Sequence, residues 1–194
     1  MPTDQTRPSA DTLAAAARQA GKRGRPPVHL WNPPFCGDLD MEIRRDGSWW
    51  YLGTPIGRHA LVRLFASILK REGDRYYLVT PVEKVGIRVQ DAPFLATDFR
   101  VEGAGRDQVL TFVTSVEDEA TAGPELPIRV KRDAATGEPS PYVLIRDGME
   151  ALIDRKSFYR LVDLGVHEPH EGESWFGLWS GGRFFPVIPS AELP

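Results

Sequence analysis

Asp38 and Asp40 are the residues whose spacing most directly suggests chemistry. Two carboxylates separated by one residue on a strand share a face, where they can hold a divalent cation or act as an acid–base pair. At that distance each raises the other's proton affinity, a cost that a cation or a ligand relieves. Glu42 continues the face, so an ordinary solvated strand is the competing account. No Ser/His/Asp order accompanies the pair and no third ligand stands at metal spacing, so no catalytic residue and no metal ligand is assigned. His29 and Cys36 are separated by the stiff Pro33-Pro34 pair, and Cys36 reads as a buried structural thiol. His167 and His170 flank Pro169, which keeps them off a helix; HEPHE reads as a solvated loop. GxGxxG and GxxxxGK[ST] are both absent, so an anion has to be held by side chains, with Arg58, Lys84 and Arg88 as candidates. The five tryptophans lie in or beside turns and strand ends. Some can stack on a planar ligand such as a nucleobase, while at least three are expected to seal the core.

The elements that position these residues are short. Leu39, Met41 and Ile43 alternate with the carboxylates, Asp46-Gly47 signals a hairpin, and Trp49–Leu52 forms its return. Thr54-Pro55 reads as a helix start, with Leu61, Leu64, Phe65, Ile68 and Leu69 inward and Gly73 as the stop. Strands are expected at 76–80, 82–89, 94–101, 108–115, 126–132, 142–146, 149–153, 174–179 and 183–188, with a second helix over 156–164. Arg45-Asp46-Gly47 recurs as Arg146-Asp147-Gly148, each between strands and ahead of a helix and two further strands. That order points to an α+β fold made of two related units by duplication, each with antiparallel strands on one main helix.

The chain has 194 residues, 41% hydrophobic and 26% charged, which fits globular domains and excludes wholesale disorder. Its 18 glycines and 17 prolines argue against a helical bundle. A net charge of −3 gives no reason to expect nucleic acid as partner, and a lone cysteine excludes an internal disulfide. No apolar run approaches the ~20 residues that cross a bilayer, so no membrane partner is expected and the expectation is a cytoplasmic protein. Residues 1–28 are locally basic and read as a flexible arm. A short Ala-rich helix there is capped by Ser9 or Asp11 and ended by Gly21, with GKRGRPP as a linker. The domains are then 1–28, 29–90 and 91–194.

Longer motifs carry a family resemblance. HLWNPPFCGDLDMEI (29–43), DGSWWYLGTPIGRHALVRLFASIL (46–69), REGDRYYLVTPVEKVGI (71–87), DAPF (91–94), TGEPSPYV (136–143) and GLWSGGRFF (177–185) resemble a bacterial family of unknown function, numbered 1285 among such domains. The resemblance spans nearly everything from about Gly24 onward. It implies two α+β units arising by duplication, the second like a pleckstrin-homology fold. It also implies a small, nucleotide-based ligand in the cleft between the units and a role in signal transduction. The motifs nominate Trp31, Asp38, Asp40, Arg58, Glu83, Lys84 and Trp179 as ligand-binding residues. Glu42 stands where the family pattern has a basic residue, which puts a phosphate contact at that point in question.

The leading expectation is a ligand-binding or signalling protein rather than a catalyst. In it Trp31 or Trp179 stacks the base, Arg58 and Lys84 meet phosphate, and Asp38 or Asp40 takes a cation or a sugar hydroxyl. A metal-assisted hydrolase using Asp38, Asp40 and Glu83 is one alternative, and a protein-interaction adaptor with a protein partner is the other.

Overall fold

The computed structural model describes residues 8–21 and 25–193. Arg7, Lys22 and Arg23 of the expected basic arm lie outside the described residues. The chain forms two compact units, Met1–Asp91 and Ala92–Pro194.

The N-terminal unit begins with α1 (Ala10–Ala20). Ser9 caps it in a reciprocal arrangement: the Thr12 amide donates to Ser9 Oγ at 3.3 Å, and the Ser9 amide donates to Thr12 Oγ1 at 3.1 Å. Leu13, Ala14 and Ala17 are buried, and α1 packs on α2 (His59–Ser67). Over this stretch the expected solvated arm is instead part of the core, because its apolar stripe outweighs its surface charge.

β1 (Phe35–Ile43) and β2 (Trp49–Tyr51) make the expected hairpin, in which Gly47 takes φ 81° and Asp46 Oδ1 accepts from the Ser48 amide. Thr54-Pro55 corrects the expectation of a helix start. It forms β3, paired to β2 through a tight turn at Leu52-Gly53, both of which have positive φ. Proline is tolerated there because β3 is the edge of its sheet. α2 therefore starts later, after Arg58, and it also ends earlier than expected. Leu69 and its neighbours leave the helix to become β4 (Leu69–Glu72), which pairs with β5 (Arg75–Val79) and then β6 (Lys84–Val89). Gly73, at φ 59°, turns this hairpin rather than stopping a helix. β6 runs parallel to β1, giving the six-stranded order β3-β2-β1-β6-β5-β4. Met41, Ile43, Trp49, Phe65, Ile68, Leu69, Leu78 and Val85 fill the core, with Trp49 stacked on Phe65 at 6.3 Å.

The C-terminal unit opens with β7 (Phe94–Glu102), β8 (Val109–Thr114), β9 (Glu119–Thr121), β10 (Ile128–Arg132), β11 (Pro139–Arg146) and β12 (Met149–Ile153). They form one sheet in the order β10-β11-β12-β7-β8-β9. α3 (Arg155–Val162), capped by Asp154, leads to a meander of β13 (Val166–His170), β14 (Glu173–Ser180) and β15 (Arg183–Pro189). The first four residues of HEPHE, His167–His170, thus lie in a strand and not a loop, with Glu171 in the turn that follows; β13 lies at an edge, where Pro169 breaks no central ladder. Val162, at the end of α3, is exposed.

The duplication is visible in element order. β1–β2, α2 and β4–β6 correspond to β11–β12, α3 and β13–β15, each being a hairpin, a helix and a meander. In the first unit the meander extends the hairpin's sheet through β6. In the second, β10 and β7 flank the hairpin, and the meander forms its own sheet. Ser180, fully buried, ties that sheet to β8: it accepts from the Leu110 amide at 2.9 Å and donates to the Ala122 carbonyl at 2.7 Å.

Two measurements test this packing. Leu13→Ala leaves a cavity between α1 and α2 and costs ~2–5 kcal/mol in denaturant unfolding, whereas a solvated arm would lose almost nothing. Asp118 and Arg146 form a buried ion pair at 3.1 Å, with the guanidinium 4.8 Å over Phe94. Asp118→Ala removes the nearer carboxylate, with Asp147 still 3.9 Å from the guanidinium, and costs ~1–3 kcal/mol in the same assay.

Candidate functional site

Four of the sequence-nominated residues meet on or beside the outer face of the N-terminal sheet. Asp38, Asp40 and Glu42 point outward from β1 while Leu39, Met41 and Ile43 are buried beneath. β6 places Gly86 opposite Asp38, and a Cβ at Gly86 would fall 2.0 Å from Asp38 Oδ1, so the carboxylate lies over the glycine. Arg75 donates to Asp38 at 2.8 Å, and Arg88 donates to Asp40 at 2.8 Å. Each carboxylate is thereby answered by its own guanidinium. Lys84 donates to Glu72 at 2.9 Å, and that bond is the main cause holding the Glu72 carboxyl below the usual carboxylate range. Lys70, which also pairs with Glu72 at 3.2 Å, donates to the Trp31 carbonyl at 3.1 Å and anchors the segment before β1. Phe35 stands edge-on to Tyr77 at 6.1 Å, with Arg75 against both rings. The face is rich in charge, and its charges are matched.

The other nominated residues lie apart from that face. Glu83 sits in the turn between β5 and β6, where its backbone bonds to Thr80 and burial raises its carboxyl above the usual range. It does not complete a site with Asp38 and Asp40; among the described residues no three His, Cys, Asp or Glu side chains could hold a metal ion. Cys36 is exposed rather than buried, with its thiol 3.4 Å from the Pro34 carbonyl, because the start of β1 runs along the surface. Trp179 belongs to the C-terminal unit. Its indole donates to Glu168 at 3.1 Å, and the Arg106 guanidinium lies 5.2 Å over its ring.

Arg58 occupies a different setting. It is the residue that caps α2, with extended backbone (φ −85°, ψ 102°), and no side chain caps that first turn. A guanidinium there sits at the positive end of the helix dipole, where Ser, Thr, Asp or Asn is the stabilising choice. Beside it, Arg18 projects from the last turn of α1, a position that suits a cation. Arg18, Arg58, Ala60, Leu61 and Leu64 line one groove of about 220 Å³ between the helices. Both arginines are exposed, and neither guanidinium makes an ion pair or hydrogen bond among the described residues. Elsewhere guanidiniums are routinely matched, as in Arg100–Glu119 at 2.7 Å and Arg160–Asp98 at 2.6 Å. Sequence reasoning found Arg58 and missed Arg18. The only sequence signal for Arg18 was a basic residue near a helix end, which does not tell what it faces.

Family models describe both units. The N-terminal domain of a domain of unknown function (DUF1285) matches residues 26–92, and the C-terminal domain of the DUF1285 protein of unknown function matches residues 93–187. The crystal structure of a DUF1285 family protein from Silicibacter pomeroyi DSS-3 is 66% identical, covering 93% of this chain and 96% of that one with a TM-score of 0.85. One from Shewanella baltica OS155 is 32% identical, covering 63% of this chain and 90% of that one with a TM-score of 0.49. No curated protein matches the chain. With both family models matched across most of its length, and a solved relative aligned nearly end to end, the chain belongs to the DUF1285 family.

Proposed function

We propose that this chain binds a small anionic ligand of the phosphate-bearing class that includes nucleotides, held by Arg58 and Arg18 in the groove between α1 and α2, and that it acts in signalling by responding to that ligand. The observation that carries the reading is the pair of guanidiniums without carboxylate partners on one groove. Arg58 adds weight, since a cation at an uncapped helix start lowers stability until an anion arrives. Leu61 and Leu64 supply an apolar wall for the uncharged part of the ligand. Arginine suits the task because its planar fork grips phosphate or carboxylate with two parallel bonds.

Thermal unfolding of the full chain against inorganic phosphate, nucleoside mono- and diphosphates and short carboxylates tests the reading. A ligand present at a thousand times its Kd adds ~4 kcal/mol, a shift of several degrees. Arg58→Asp should stabilise the ligand-free protein by roughly 1 kcal/mol, since it supplies the missing cap, and so raise its melting temperature by a few degrees. The same change should abolish the shift given by the anion, and Arg18→Ala should weaken it. A chain that no anion stabilises, or an Arg58→Asp variant that keeps the full shift, overturns the proposal.

A further inference from the structure

The C-terminal meander carries an aromatic stripe that the anion site does not use. Alternation along β14 puts Glu173, Trp175, Gly177 and Trp179 on one face, with Leu178 and Ser180 buried behind. β13 sets Glu168 opposite Trp175 and His170 opposite Glu173, while β15 sets Phe184 opposite Trp179 and Pro189 opposite Trp175. His170 meets Trp175 edge-on at 6.2 Å, and Phe184 lies 5.6 Å from Trp179. Gly177 is required between them: a Cβ there would come within 2.6 Å of the Phe184 ring. The rings are half-buried, so the stripe stays open to a partner.

The chain fills one seat on this stripe with its own arginine. Arg106 stacks over Trp179 and grips Glu168 at 2.9 Å, while the Trp179 indole donates to the same carboxylate. An indole face with a carboxylate at its edge favours a guanidinium through cation–π attraction and a charge-assisted hydrogen bond. The same two residue types recur at Trp175 and Glu173, and among the described residues no cation stacks on Trp175. Among the described residues Glu173 makes no ion pair, and Glu171 meets only His170, at 4.0 Å. A groove of about 450 Å³ runs from Trp175 between β10 and β15, walled by Ile128, Val130, Pro186 and Pro189. The arginines that border it, Arg129 and Arg132, are held by Glu150 and Glu192.

The geometry points to a docking surface for an arginine-bearing basic segment of a protein partner. We propose that the partner's guanidinium sits on Trp175 beside Glu173, as Arg106 sits on Trp179 beside Glu168. Charge complementarity selects the partner: aromatic faces, Glu171 and Glu173 present negative potential, and the groove receives the apolar residues that flank the arginine. Arginine is favoured over lysine because its flat fork can stack and bond a carboxylate at once.

Fluorescence anisotropy of a labelled hexa-arginine peptide with the full chain tests this, alongside a hexa-lysine peptide. Binding should saturate, with hexa-arginine at least several-fold tighter than hexa-lysine. Trp175→Ala and Glu173→Gln should each weaken it by ~2- to 5-fold, the loss expected for one exposed cation–π or charged contact. Glu173 is exposed, so its replacement leaves the fold intact if Trp175→Ala does not. Glu102→Gln, an exposed charge on β7, should change nothing. Absence of binding, equal affinity for hexa-lysine, or the same loss from Glu102→Gln as from Glu173→Gln overturns the proposal.

Discussion

The arginine–carboxylate pair governs this molecule's surface. Arg75–Asp38, Arg88–Asp40, Arg100–Glu119, Arg129–Glu150 and Arg160–Asp98 join strand to strand or strand to helix, so that guanidiniums and carboxylates cancel across the sheets. Exposed pairs of this kind contribute little stability singly. Their importance is what they leave over. Once these charges are matched, positions where a charge stands alone become informative, because nothing in the fold explains them.

Among the described residues, two groups of such charges, of opposite sign, stand beside a groove. Arg18 and Arg58 leave positive charge on the groove between α1 and α2, and Glu171 and Glu173 leave negative charge beside the meander's rings. The sheet face around Asp38 and Asp40 lost its standing for the same reason, since Arg75 and Arg88 already answer it. The more conspicuous cluster was therefore the less informative one, and a helix start with the wrong kind of cap proved more telling.

The sequence made local devices legible and hid distant ones. Asp46-Gly47 and Asp147-Gly148 announced their hairpins, and Ser9 announced α1, because each depends on neighbours a few residues away. The two-unit order could be read from the same punctuation. Thr54-Pro55 misled because a threonine before a proline suits a helix start and an edge strand equally, and pairing with β2 decided between them. β13 was hidden by Pro169, whose missing donor matters only in a central strand. Asp38 was recognisable as an outward carboxylate, but its partner lies 37 residues on and Asp40's lies 48 on, separations that only the completed sheet resolves. Arg18 facing Arg58 is a helix-to-helix meeting of the same kind.

The prolines of the meander have a further consequence. Its outer strands are β13, with Pro169, and β15, with Pro186 and Pro189. Neither border offers an unbroken row of amide donors, so a further strand cannot zip onto it along its whole length. Borders interrupted in this way guard the meander against the edge-to-edge pairing that long flat edges invite.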